Sequence, residues 1–260
     1  MPIVYACIRP RTPCDEAEHA RTAAAIRRVT EELASHRPEV LVLITSPSPA
    51  SRDKIGVLTA EEISLGSEPG QLTLATDGEL GERILAEAAK ETLPVSPIYR
   101  LKGGQLGDVP SLAEGRADTR FVVTVTARLT PRFHFDFGHS IARALAGDER
   151  RVACLCLADL EIAPPAGGRD EYSPARRVFA ERYRRVIDKW DVKWLTGLDS
   201  GYRQEAREDA VSQTAVLMGA LSSYRIEPRV LSYEPLADVG QLVAAIDVAG
   251  PRRGNPPQRS

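Results

Sequence analysis

Four apolar runs constrain the fold of this 260-residue chain more than any other feature: "IVYACI" at 3–8, "EVLVLIT" at 39–45, "RFVVTVTA" at 120–127 and "RVACLCLADL" at 151–160. A strand with one wet face alternates apolar and polar residues, whereas a continuous run rich in Val and Ile is buried on both faces. Between the first two runs, Ile26, Val29 and Leu33 share a helical stripe with Thr22. Asp15, Glu16 and Glu18 fall in the expected first turn of that helix, 15–35, where the helix dipole favours anions. Strand, helix and strand make a βαβ unit, which implies parallel pairing and a right-handed crossover. The expected fold is α/β, a single three-layer domain with a mixed, largely parallel central sheet flanked by helices. We expect one domain over 1–249 and a disordered tail over 250–260, "GPRRGNPPQRS", which is too rich in Pro, Gly and Arg to pack.

Further elements follow from punctuation. Short strands are expected at "IGVL" and "LTLA", then a helix over 77–91 capped by Thr76 and burying Leu80, Ile84, Leu85 and Ala88. "PVSPIYRL" carries two prolines and suits a sheet edge, and 102–118 reads as a glycine-rich loop. The helix after "RFVVTVTA" has Thr130 as cap, Pro131 at its first position, Gly147 as its stop, and a stripe of Phe133, Phe137, Ile141 and Leu145. Helices near 174–189, 191–198 and 204–223 precede two closing strands, "EPRVLSYEP" and "VGQLVAAID".

Charge sets limits on partners. With 34 Lys and Arg against 36 Asp and Glu, no whole-chain field favours nucleic acid or an anionic membrane. No stretch approaches the roughly 20 apolar residues of a membrane span. The start "MPIVYACIRP" lacks a basic n-region and a long h-region, so the chain reads as soluble and cytoplasmic. Cys7, Cys14, Cys154 and Cys156 lack C-x-x-C spacing and read as reduced core thiols. A cluster of Cys7 with Cys154 and Cys156 forms if their strands are neighbours.

In an α/β sheet, ligands bind at the carboxyl ends of parallel strands, so the exits "RPRTP", "SPSPAS", "ADLEI" and "SYEP" are the segments to inspect. They read Pro10-Arg11-Thr12-Pro13, Ser46-Pro47-Ser48-Pro49, Ala158-Asp159-Leu160-Glu161-Ile162 and Ser232-Tyr233-Glu234. In this order, up to about residue 248, and with "LTPRFHFDFGHSIARAL" and "TAVLMGAL" followed by "RVLSYEPLADVGQLVA", they resemble the class III extradiol ring-cleavage dioxygenases. That is the family of the protocatechuate 4,5-dioxygenase catalytic subunit and the 2-aminophenol dioxygenase subunits. Family members commonly show Pro-His-Pro-Pro, Ser-Pro-His-Gly, Gly-Asp-Leu-Ser-His and Ser-Tyr-Glu at these places.

The resemblance implies an aromatic-catabolism fold that holds Fe(II) with two histidines and a carboxylate, plus a histidine as acid/base. Carried over, the ligand positions are Arg11, Ser48 and Glu234, and the acid/base position is Ile162; Asp159 belongs to the same pocket. Only the carboxylate survives. Arginine has no acceptor and stays protonated, so it cannot ligate iron. His19 and His36 read as solvent-facing. In "HFDFGH", His134 and His139 point about 140° apart on a helix, so His139 pairs with Asp136 rather than joining a metal site. Glu234, without a metal, needs a cation, and Arg11 is expected to supply it as an ion pair in the former iron site.

Three functions remain open. The first is a degenerate, metal-free and non-catalytic family member, a pseudoenzyme with no cofactor. It would act as a partner subunit to a metal-bearing homologous chain, as a homo-oligomer, or as a binder of a small aromatic or anionic ligand. The second is an active Fe(II) ring-cleaving enzyme with rearranged ligands, for which Glu234, Asp159, Glu161 and the cysteines are the candidates. The third is another enzyme in the inherited pocket, with Arg11 as an anion clamp and Ser48 as a donor beside it.

Overall fold

In the structure, a computed structural model, residues 2–11, 19–46, 53–64, 73–101, 106, 118–160, 174–234 and 241–251 are described. Ten strands are described: β1 (Ile3–Arg9), β2 (Val40–Thr45), β3 (Ile55–Leu58), β4 (Glu62–Ser64), β5 (Thr73–Ala75), β6 (Val95–Ile98), β7 (Arg120–Val125), β8 (Val152–Leu157), β9 (Tyr224–Glu234) and β10 (Gln241–Pro251). The described helices are α1 (Ala20–Ser35), α2 (Gly78–Lys90), α3 (Pro131–Ala144), α4 (Pro174–Lys189), α5 (Val192–Thr196), α6 (Ser200–Ala206) and α7 (Val211–Ala220). Eight strands form one sheet in the order β6-β3-β7-β2-β8-β1-β10-β9, and β4 pairs with β5 in a separate ladder.

The four continuous apolar runs become the parallel centre, β7-β2-β8-β1. β3 and β10 flank it antiparallel, which makes the sheet mixed. Every residue of β2 and β8 is buried, as expected of strands covered on both faces. Val40, Val42, Ile44, Cys154 and Cys156 face one core with α2, α3, α4 and α7. Leu41, Leu43, Leu155 and Leu157 face the other, with α1 and the β4–β5 ladder. The three layers are therefore unequal, with one long helix on one side and most of the helices on the other. The proline-containing β6 lies at the sheet edge, where a missing N–H disturbs no ladder.

Several expectations shift. Asp77, not Thr76, caps α2, accepting from the Leu80 amide at 2.9 Å; Thr76 lies one residue too early, and its hydroxyl donates to the Ala60 carbonyl. Phe133 is turned outward at 41% exposure, and His134 takes the buried place on α3. The stripe runs through 134, 137, 141 and 145, spacings of three and four that leave residue 133 about 100° aside. His134 donates from Nδ1 to the Thr130 carbonyl at 3.0 Å and accepts from the Ala127 amide at Nε2 at 3.2 Å. Burial pushes it down to about 4, so it is a neutral structural histidine.

The other histidines are also structural. Asp136 pairs with Arg132 at 3.1 Å, while His139 packs edge-on against Phe135. His19 is buried at the start of α1 rather than solvent-facing, and His36 is half-buried and stacks on Tyr5 with ring centroids 4.9 Å apart. Cys7 stands in register with Leu155, so it lies on the face opposite Cys154 and Cys156, and the three do not cluster. All three are buried and none is in a disulfide; Cys14 lies outside the described residues. β10 continues through Gly250 and Pro251, paired with Arg225 and Tyr224, two residues into the expected tail.

α3 and α7 touch backbone to backbone through Gly138 and Gly219. A Cβ on Gly138 would sit 2.7 Å from the Ala220 nitrogen, and one on Gly219 would sit 2.9 Å from the Gly138 Cα. Both α3 and α7 contribute to the core beneath the sheet, so forcing them apart opens packing that a rotamer change cannot restore. Gly138→Ala and Gly219→Ala are each expected to destabilise the chain by about 2 kcal/mol or more, read as a lowered midpoint in urea with an unchanged slope.

Candidate functional site

The carboxyl ends of β1, β8 and β2 lie side by side, and three exits converge on one guanidinium. Proline at position 10 has no N–H and closes the β1 ladder, placing Arg11 just beyond it. The Arg11 amide donates to Asp159 Oδ1 at 3.0 Å. Its Nη2 lies 3.2 Å from Asp159 Oδ2 and 3.2 Å from Asp209 Oδ2. Its Nη1 donates to the Ser46 hydroxyl, which in turn donates to Asp209 Oδ2 at 2.7 Å.

Asp209 comes from the link between α6 and α7. Backbone hydrogen bonds of 3.2 Å in each direction join it to Asp159. Gln213, one turn along α7, donates to its carbonyl at 3.0 Å and to Oδ1 at 3.2 Å. Burial, above the opposing attraction of Arg11, pushes the Asp209 carboxyl up to about 6, and the neighbouring Asp159 charge adds to the rise. The cluster is a planar cation shared between two carboxylates and a hydroxyl.

Glu234 is spent elsewhere. At the end of β9 it accepts from the Thr22 amide at 2.9 Å and the Thr22 hydroxyl at 2.5 Å through Oε2, and from Arg21 Nε at 3.1 Å through Oε1. Burial acts to raise its titration, but the Thr22 hydrogen bonds and Arg21 outweigh it and hold the carboxyl below the usual range. Thr22 lies in the first turn of α1, where helix amides lack intrahelical partners and the dipole favours an anion. Glu234 thus caps α1 from across the chain, the role the sequence suggests for Asp15, Glu16 and Glu18, which lie outside the described residues.

The expected Arg11–Glu234 ion pair is therefore replaced by two separate clusters. The β1–β10 register extended by three residues puts Arg11 level with Gln241, which pairs with Glu234. Two strand spacings, about 10 Å, separate the backbones, and each charge finds a nearer partner. Of the pocket residues expected, Arg11 and Asp159 come together; Glu234 lines the same edge of the sheet but not the same cluster. Ser48 and Ile162, with Glu161, lie outside the described residues.

Sequence reasoning missed Ser46 and Asp209. Ser46 is the first residue after β2 in the quoted exit "SPSPAS". Asp209 belongs to an interhelical link, and nothing local in "REDAVSQT" announces that it reaches a strand exit.

Among the described residues, the donors at this edge do not suit the Fe(II) that the resemblance implies. Arg11 offers no lone pair, and Glu234 already accepts from three groups. Among the described residues, no three His, Cys, Asp or Glu side chains gather as a metal-binding group. Among the described residues, no helix is long and apolar enough to cross a membrane.

No protein-family profile matches the chain, and no curated protein matches it. The chain is similar in structure to an uncharacterized protein from Escherichia coli K12, known from a crystal structure. The TM-score is 0.62 at 14% sequence identity, covering 93% of this chain and 99% of the other. At that identity the likeness shows a shared α/β fold.

Removing Arg11 leaves two carboxylates facing each other without their cation. Arg11→Ala is expected to cost about 2–3 kcal/mol. A double-mutant cycle of Arg11→Ala with Asp159→Asn should give a coupling of about 1 kcal/mol or more, and one with Glu234→Gln a coupling within about 0.5 kcal/mol of zero. Urea unfolding of the four species in each cycle measures both.

Proposed function

We propose that this chain is a metal-free, non-catalytic relative of the class III extradiol dioxygenases, acting as a partner subunit or a small-molecule-binding protein. One observation carries the reading. At the position where the family places its first iron-binding histidine, the guanidinium of Arg11 is tied to Asp159, Asp209 and Ser46. A guanidinium built into the chain at that position has no lone pair to offer a metal. The carboxylate that resembles the family's third ligand, Glu234, serves instead to cap α1.

The charge balance also bears on the ligand. One guanidinium against two carboxylates gives an edge that repels an anion, because an incoming carboxylate must displace Asp159 or Asp209 from Arg11. A neutral aromatic or a cationic ligand suits the edge better than the anionic one for which Arg11 would be a free clamp. A second reading, an enzyme of different chemistry in the inherited pocket, draws on the Ser46 to Asp209 hydrogen bond of 2.7 Å. That contact pairs a hydroxyl with a carboxylate that can accept its proton.

Metal analysis of the protein purified from cells grown with added iron tests the proposal. We expect iron, manganese and zinc all far below one per chain, and a metal-bearing relative with intact Pro-His-Pro-Pro recovered on pull-down from native cells if the role is that of a subunit. One tightly held metal per chain would overturn it. Turnover of any substrate lost on Ser46→Ala would favour the second reading.

A further inference from the structure

One face of the helical layer is charged and unpartnered. α4 buries Phe179, Tyr183 and Val186 in the core. About 100° around the same helix, Val178, Arg182, Arg185 and Lys189 follow one another three and four residues apart and are all exposed, so they form a single stripe. Val178, at 58% exposure, heads three cations with no acid among them. The Arg182 guanidinium lies 5.8 Å from the centroid of the Trp194 ring, which directs it without neutralising it. Lys189 meets only its chain neighbour Asp188, at 3.8 Å. Arg185 has no ion pair among the described residues.

The complementary surface lies on α2. A groove of about 740 Å³ runs between the start of that helix and residues 147–150. Its two arginines are already spent: Arg83 reaches Asp148 at 3.0 Å, and Arg150 holds Asp148 at 2.8 Å and Asp77 at 2.6 Å. The other acids of its lining, Glu61, Glu79, Glu82 and Glu149, are exposed and have no cation among the described residues. Stripe and groove cannot meet within one chain. α2 packs on β3, β6 and β7, and α4 packs on β9, towards opposite edges of the eight-stranded sheet. Five or more strand spacings, roughly 25 Å, separate them. One layer thus ends in cations at one edge and in carboxylates at the other, and a second copy set beside the first brings the two together.

We propose that the α4 stripe of one chain docks in the α2 groove of a second copy, with Arg182, Arg185 and Lys189 set against Glu79, Glu82 and Glu149. This inference goes beyond the functional reading above and does not depend on it. The contact is heterologous. Each copy in a pair keeps one free stripe or one free groove, so association runs on past the dimer to a ring or a filament. Its charges are exposed, which makes it weak and sensitive to salt.

Sedimentation velocity on the full chain tests this. At about 20 mM salt the mass should grow with protein concentration beyond a dimer, and at about 500 mM that growth should vanish. Arg182→Gln with Arg185→Gln, and separately Glu82→Gln with Glu149→Gln, should each weaken the low-salt association by about tenfold or more. Mixed in equal amounts, the two variants have one intact groove and one intact stripe between them and should form a 1:1 dimer that grows no further. Carbodiimide coupling of mixed heavy and light wild-type chains should join Lys189 of one copy to Glu79, Glu82 or Glu149 of the other, and this readout needs no variant to fold. No growth in mass at low salt, growth that persists at high salt, or cross-links that leave Lys189 out would each overturn the contact. So would association lost in the groove variant and kept in the α4 variant, which would give the groove to another occupant such as residues 252–260.

Discussion

The guanidinium of Arg11 is the contact on which the carboxyl edge of the sheet depends. It joins residues from the exits of three parallel strands and from an interhelical link, separated by up to 198 positions in the chain. A flexible lysine would offer one point charge, whereas the planar fork of arginine reaches Asp159, Asp209 and Ser46 together. The arrangement is costly in isolation, since two carboxylates and a guanidinium must leave most of their water. It persists because each member gains a second hydrogen bond, from the Arg11 amide, the Ser46 hydroxyl or the Gln213 amide.

One edge of the sheet therefore carries two charge solutions side by side. Arg11 collects the acids near β8, and α1 collects the acid at the end of β9. The second solution uses no strand cation at all: the open amide of Thr22, its hydroxyl and the exposed Arg21 suffice. It also explains how a single helix covers its face of the sheet. α1 packs Ala25, Val29 and Leu33 on the core while its first turn is fixed to β9 through Glu234 and Ser232.

The sheet was legible because burial on both faces writes itself into sequence as unbroken apolar runs, as in "VLVLIT" and "VACLCL". The helix expected near 174–189 is α4 (Pro174–Lys189), and β6 was legible from its prolines. α6 and the β4 strand were not, because elements of seven and three residues carry too little period to stand out. At the site, Arg11 and Asp159 could be read from strand exits and the family resemblance. Asp209 could not, since its place depends on where a link between two helices comes to rest, a tertiary matter with no local signal. The Arg11–Glu234 pair was a reasonable charge-matching inference that failed on distance and on the unseen competitor, the open end of α1.

The most direct test of Arg11 as the resident cation is an anomalous difference map at the carboxyl edge of the sheet, from crystals of the wild-type protein grown anaerobically with Fe(II). The account predicts no peak at the exits of β1, β2 and β8, and continuous density for the Arg11 guanidinium between Asp159 and Asp209. A peak within coordinating distance of Asp159, Asp209 or Glu234, with Arg11 swung away, would contradict it.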